Sequence, residues 1–170
     1  TFPGRLSSWK GQESFIKLMS DLPDDYSGLI VGPYKSAKPK YLNSLKKLIE
    51  DYRLQNKVHF YNAKDDIREI YYLSEVVLNL SSKPEPFGRT ILEAAMMGKK
   101  IAGWDRGGPG EVLDMCFPQG KVEFNKFNSL VETVKTLSES EDIPSNIFLT
   151  SDLMHSKTIG FYLDAIDKNS

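Results

Sequence analysis

The sequence predicts an α/β protein, a Rossmann-like doubly wound parallel sheet with helices on both faces, and three observations lead there. Strand-like and helix-like patterns alternate along the chain, as they do when parallel strands are joined by crossover helices. Runs such as Gly28-Leu29-Ile30-Val31-Gly32 and Val76-Val77-Leu78 are short and uncharged, as strands buried on both faces require. No repeat, linker or low-complexity stretch divides the 170 residues, which are read as one domain, 1–170. A domain of this length buries roughly 70% of its unfolded surface.

The elements follow in order. Gly4-Arg5-Leu6 reads as the exit from a strand, and the chain starts at Thr1, so it is expected to be part of something larger. Phe15, Met19 and Leu22 share one face of a helix over 11–22, which Pro23 ends. The strand at 28–32 leads through a loop at 33–39 into a helix over 40–53, where Tyr41, Leu45, Leu48 and Tyr52 form the apolar stripe. Residues 57–61 read as a strand, 66–73 as a short helix, and 75–80 as a buried strand. Ile91, Leu92, Ala95 and Met96 are helically spaced within 87–97, and Gly98 is placed to end that helix in a left-handed conformation. A strand at 101–104 precedes Gly107-Gly108-Pro109-Gly110, read as a sharp glycine loop, with a short helix over 111–115 behind it. A last strand at 121–124, a helix marked by Leu130, Val131, Val134 and Leu137, and a helical pattern from Pro144 onward complete the chain.

Composition excludes several classes of function. Hydrophobic residues make up 40% and charged residues 26%, the balance of a globular protein with neither disorder nor a membrane span. With 22 Lys and Arg against 23 Asp and Glu, the net charge of −1 offers no basic surplus for nucleic acid. The single cysteine, Cys116, cannot form an intrachain disulfide, and no signal-peptide pattern opens the chain, so a reducing, cytoplasmic setting is expected.

In a doubly wound sheet, ligands bind beyond the carboxyl ends of the strands. The loop Gly4 to Gly11 carries Arg5 and Lys10, a guanidinium fork and an ammonium point charge that together suit a diphosphate. The helix behind that loop adds main-chain N–H groups and the positive end of its dipole. A second group is Pro84-Glu85-Pro86-Phe87-Gly88-Arg89-Thr90-Ile91-Leu92-Glu93. Glu85 lies in the loop and Glu93 in the helix, roughly 8–12 Å apart along the axis at 1.5 Å per residue. Between them Gly88 permits close approach of main-chain N–H groups to a ligand. A sugar joined through diphosphate to ribose has hydroxyls at both ends and an anionic middle, and it fits this layout. Both groups also have plain readings, as solvated surface charges and as charges favoured by a helix dipole; that reading is weakest at Glu93, which sits among Leu92, Ala94 and Ala95 and needs partners.

Taken in order, Gly4-Arg5-Leu6-x-x-x-Lys10-Gly11, Leu29-Ile30-Val31-Gly32, Val58-His59-Phe60, Glu85-Pro86-Phe87-Gly88-x-x-Ile91-Leu92-Glu93-Ala94 and Gly107-Gly108-x-x-Glu111 resemble the C-terminal half of family 4 (group 1) glycosyltransferases of the GT-B fold. The resemblance implies a donor-binding domain of a retaining enzyme that transfers a sugar from a nucleotide-diphospho-sugar to an acceptor such as a growing surface polysaccharide or a glycolipid. It implies Arg5, Lys10 and Glu85 as catalytic residues, the two cations on the diphosphate and Glu85 facing the transferred sugar with the backbone of Phe87 and Gly88. The backbone at Thr90 and Ile91 would meet the diphosphate, Glu93 would hold the ribose hydroxyls, and Arg89 belongs to the same donor-binding set. Residues after the third strand would frame the nucleobase, which points to Tyr61, Lys64, Asp65 and Asp66. Many members have a glycine-rich turn after the second strand and a glycine after the third, where this chain has Gly32-Pro33-Tyr34-Lys35 and Asn62. Neither cofactor nor metal is implied, since the nucleotide-sugar is a substrate. The acceptor would bind an N-terminal domain absent from this chain, through which contact with the inner face of a membrane stays open, and without which this chain should not turn over.

Two other readings stand beside this one: a non-catalytic nucleotide-sugar-binding module, and a NAD-binding oxidoreductase domain. The second is disfavoured because Gly108-Pro109-Gly110 comes late and lacks the third glycine and a suitably placed acidic residue. His59 and His155 have no ligand cluster and are read as structural, and Met96 and Met97 as core. Asn79-Leu80-Ser81 matches a glycosylation sequon but lies at the end of a buried strand and is set aside.

Overall fold

The computed structural model describes residues 1–63 and 67–145. Its strands are β1 (Phe2–Pro3), β2 (Gly28–Val31), β3 (Val58–Tyr61), β4 (Val76–Asn79), β5 (Lys100–Trp104) and β6 (Lys121–Val122). They form two parallel ladders, β3-β2-β1 and β4-β5-β6. Thr1 joins the two, its main-chain nitrogen donating to the Val76 carbonyl (2.7 Å) and its carbonyl accepting from Leu78 N–H (2.9 Å). Read across, the strand order is therefore β3-β2-β1-β4-β5-β6. The order reverses between β1 and β4, and at such a reversal the loops leaving neighbouring strands diverge and open a crevice.

The helices are α1 (Gln12–Asp21), α2 (Pro39–Asp51), α3 (Arg68–Leu73), α4 (Arg89–Met96), α5 (Gly107–Cys116) and α6 (Phe127–Glu139). Helix α1 packs against α2 and α6, while α4 packs against α5. Phe15, Ile16, Leu18 and Met19 of α1 are buried, as their spacing predicts, each contributing about 1.5–3 kcal/mol on leaving water. Trp104, at the end of β5, is buried with Phe124 and Phe127 edge-on to it at centroid distances of 6.1 and 5.4 Å.

The structure corrects some local expectations. The four residues Gly107 to Gly110 are the first turn of α5 and not a loop ahead of it, because Gly107 and Gly108 lie against the Glu85 and Phe87 backbone where side chains would not fit. The segment 33–39 contains a 3-10 turn at Tyr34–Ser36, and β6 stops at Val122. Met96 is 63% exposed, on the outer side of α4, and is not a core residue. His59 is exposed on the edge strand β3. Gly98 follows α4 in the expected left-handed conformation, at φ +68°. The helical pattern read from Pro144 onward, with His155, falls outside the described residues beyond position 145.

The two loops that leave β1 and β4 are drawn together at Gly11. Its φ is +96°, and a Cβ there would come to 2.1 Å from the Leu80 carbonyl oxygen. Beside it, the Trp9 carbonyl accepts from Ser82 N–H at 2.8 Å and from the Ser82 hydroxyl at 3.2 Å. Gly11→Ala must strain the backbone and push the two loops apart at once. It is expected to lower stability by about 2–4 kcal/mol, as measured by urea denaturation.

Candidate functional site

Beyond the carboxyl ends of β1 and β4 lies an open cleft of about 1040 Å³. Its walls carry Arg5, Lys10, Arg68 and Arg89 together with the carboxylates Glu85 and Glu93, so a chain of net charge −1 sets four cations against two carboxylates at one end of the sheet. Of the positions singled out in the sequence, Arg5, Lys10, Glu85, Arg89, Thr90 and Glu93 line this one cleft.

The β1–α1 loop is anchored by Gln12, the first residue of α1 and fully buried. Its amide donates to the Arg5 carbonyl (3.1 Å) and accepts from the Tyr41 hydroxyl (3.1 Å). Tyr41, read as part of an apolar stripe, thus carries a polar tip with a specific partner, and its phenol is pushed up by burial and then by the charge of Glu13. The Arg5 side chain is exposed at the cleft mouth. Lys10 reaches the other wall, where its ammonium donates to Glu85 Oε2 at 2.8 Å, with the two side chains 17% and 11% exposed. The ammonium also sits 4.7 Å from the centroid of the Trp9 ring.

Glu85 is held from several sides. Oε1 accepts from the Asn79 amide at 3.0 Å and from the Ser81 hydroxyl. Its carbonyl accepts from Gly108 N–H at 2.8 Å, and the residue forms a parallel bridge with Gly107. Burial alone pushes this carboxyl up, but hydrogen bonds from Lys10, Ser81 and Asn79, with the Lys10 charge, outweigh it and hold the group below its ordinary value.

Gly88 caps α4 at φ +74°, close against Pro109. Ile91 and Leu92 N–H both turn back to the Gly88 carbonyl, at 3.0 and 3.2 Å, which leaves the first two amides, of Arg89 and Thr90, without intrahelical partners. Phe87 is half-buried and packs on the core, and the Ile91 side chain is fully buried, so these two can offer a ligand only their main chain. Glu93 is 40% exposed in the cleft, less enclosed than its apolar neighbours in sequence suggest, and it has two partners. Tyr71, buried on α3, donates to Oε2 at 3.1 Å, and Arg89 Nε lies 3.3 Å from Oε1. Burial first, then the Glu93 carboxylate, push the Tyr71 phenol up, so it stays a donor.

The positions expected at a nucleobase divide. Tyr61 is 48% exposed on edge strand β3 and is not among the residues lining the cleft, whereas Ala63 and Ile67 are. Lys64, Asp65 and Asp66 lie outside the described residues. Reasoning from sequence missed Gln12, Tyr71, Asn79 and Ser81. For Asn79 a signal existed, since an amide inside a buried strand must find partners, but the partner lay six residues on, around a turn. Among the described residues no cluster of three or more His, Cys, Asp or Glu could hold a metal ion, and no helix is long and apolar enough to cross a membrane.

A family model described as glycosyl transferases group 1 matches residues 1–148. An uncharacterized glycosyltransferase of Methanocaldococcus jannaschii is 34% identical over 117 residues, which cover 66% of this chain and 29% of that protein. Among solved structures, a glycosyltransferase from Rickettsia africae superposes with a TM-score of 0.72 at 31% identity, covering 80% of this chain and 36% of the other. Anabaena HepE, crystallised with UDP and glucose, superposes with a TM-score of 0.77 at 25% identity, covering 99% of this chain and 47% of the other. The chain thus spans less than half the length of each of these proteins.

The Glu85 contacts set a pH dependence. A carboxylate held below its ordinary 4.5 in the folded state contributes stability that is fully present above that value and is lost as pH falls through the lower folded one. Glu85→Gln is expected to cost about 1–3 kcal/mol at neutral pH. Its melting temperature should also decline less than that of the unsubstituted protein between about pH 5 and pH 3. Parallel decline of the two in calorimetric scans would remove Glu85 from the acid transition.

Proposed function

The chain belongs to the group 1 glycosyltransferases, with a fold that resembles GT-B structures, and from that premise we propose that it is the donor-binding domain of a retaining transferase that takes its sugar from a nucleoside-diphosphate sugar. The observation that carries the reading is the meeting of Lys10 and Glu85 at the strand-order reversal, in one cleft with Arg5, Arg89, Glu93 and the open end of α4. The HepE complex with UDP and glucose supports a uridine donor over other bases.

Breaking the bond between the anomeric carbon and the diphosphate leaves negative charge on the diphosphate oxygens. Arg5, Lys10 and the Arg89 and Thr90 main-chain N–H groups would stabilise that charge without a metal ion, in the manner of preorganised donors. Glu85, with the main chain of Phe87 and Gly88, would face the transferred sugar. Glu93, oriented by Tyr71 and Arg89, would accept from the ribose hydroxyls. The base would lie toward Ala63 and Ile67, next to Lys64, Asp65 and Asp66. The acceptor, a surface polysaccharide or glycolipid in the cytoplasm or at the inner face of a membrane, would bind a further domain of the full-length enzyme.

A thermal-shift panel of UDP, GDP, ADP and NAD tests the class of ligand: UDP should raise the melting temperature most, and a response to NAD alone would overturn the reading in favour of an oxidoreductase domain. In the full-length enzyme, Arg5→Ala should lower kcat by about 10²–10³ with little change in acceptor KM, as loss of a charge-stabilising donor does. Glu93→Ala should weaken nucleotide binding in calorimetry by about tenfold or more.

A further inference from the structure

The sequon-like pair Asn79 and Ser81, set aside in the sequence, has a different role in the fold. Asn79 ends β4 and Ser81 lies two residues on, so both side chains reach the same side of the strand exit. Both are buried, 6% and 5% exposed. Ser81 N–H needs an acceptor, and Asn79 Oδ1 supplies it at 3.2 Å. That contact fixes which way the amide points, since its NH₂ must then lie on the other side, 3.0 Å from Glu85 Oε1 and 3.4 Å from Thr90 Oγ1. The Ser81 hydroxyl has one proton and two acceptors in reach, Glu85 Oε1 and the Lys10 carbonyl at 3.4 Å; the nearer and charged one takes it.

A carboxylate has roughly four acceptor sites, two on each oxygen. Asn79 and Ser81 fill both sites on Oε1, and Lys10 fills one on Oε2. The remaining site on Oε2 is the one with which Glu85 can meet a further hydroxyl. We propose that Asn79 and Ser81 are positioning residues that form a cradle for the Glu85 carboxylate, locking Oε1 to the protein so that Oε2 is the oxygen offered jointly to Lys10 and to the donor sugar. The cradle continues into α4, because Asn79 also donates to Thr90, whose carbonyl lies 3.5 Å from the Tyr71 hydroxyl that holds Glu93. The two glutamates of the Glu-x₇-Glu motif are thereby registered to one another through buried groups.

The role assigned to Oε2 rests on the donor-domain reading, and the experiment separates the two. In full-length protein labelled with ¹³C at Glu side-chain carboxyls, the Glu85 resonance is identified by its loss in Glu85→Gln and titrated by NMR, and UDP affinity is measured by calorimetry. Ser81→Ala and Asn79→Ala should each move the Glu85 midpoint up by about one pH unit, and Ser81→Thr, which keeps the hydroxyl, should bring it back toward the unsubstituted value. A role in packing alone would leave that midpoint in place while lowering the melting temperature. If Asn79→Ala does not fold, Ser81→Ala and Ser81→Thr decide. An unmoved midpoint in Ser81→Ala, with UDP still bound by the unsubstituted protein, overturns the cradle alone. A moved midpoint in a protein that binds none of UDP, GDP and ADP upholds the cradle and overturns the donor reading, and with it the role given to Oε2.

Discussion

The contact on which the site depends is the closure of two strand exits onto each other at the reversal of strand order, where Gly11 lies against the Leu80 carbonyl and Lys10 reaches Glu85. Strands β1 and β4 are neighbours in the sheet but far apart in sequence, and their crossover helices lie on opposite faces. Left to themselves, their exit loops would diverge. Gly11 permits main chain to touch main chain at one point, and the Trp9–Ser82 bonds extend the contact beside it. Only then can an ammonium on one loop meet a carboxylate on the other at 2.8 Å.

From that closure the rest of the cleft follows. Glu85 is pinned in front by Lys10, beneath by Asn79 and Ser81, and behind by the first turn of α5 through Gly107 and Gly108. Because α5 starts at those glycines, its end can press against the Glu85 loop with no side chain between. The same loop delivers Gly88, where α4 begins, and so fixes where the Arg89 and Thr90 amides point. Arg89 and Tyr71 then set Glu93.

The layered fold was legible because it rests on repeating local signals. Periods of two and 3.6 mark the strands and helices whatever their partners, and the uncharged runs at β2 and β4 announce burial on both faces. The cleft's charged residues were legible because Arg5, Lys10, Glu85 and Glu93 sit at strand exits and in an ordered pattern. Harder to see was whatever depends on a partner brought close only by folding. Gln12 reads as an ordinary first residue of a helix, yet it bridges the Arg5 carbonyl to a tyrosine on α2. Met96 has helical spacing suited to the core, but α4 is short and its outer side faces the cleft, so the side chain stays in water. The glycine run 107–110 carries every local sign of a turn, and the close approach of the Glu85 loop makes it a helix start instead.

The pairing of charges also explains how cations can be stored at the end of a buried sheet. A partly buried ammonium with no partner would suffer a desolvation penalty, and a lone carboxylate in the same place would take up a proton. Paired, each compensates the charge of the other. Lys10 and Glu85 are matched in this way within the cleft, Arg89 meets Glu93 nearer the solvent, and Arg5 stands exposed at the mouth. On the donor-domain reading, an entering diphosphate meets cations already aimed, and the carboxylates that aimed them turn to the hydroxyls at the two ends of the ligand. The exchange replaces one set of charge-assisted bonds with another and leaves no charge uncompensated. It works only if the carboxylates keep their places as the cations shift toward phosphate. That places the burden on Asn79 and Ser81 behind Glu85, and on Tyr71 behind Glu93, buried neutral groups that an anionic ligand attracts less strongly than it does the cations.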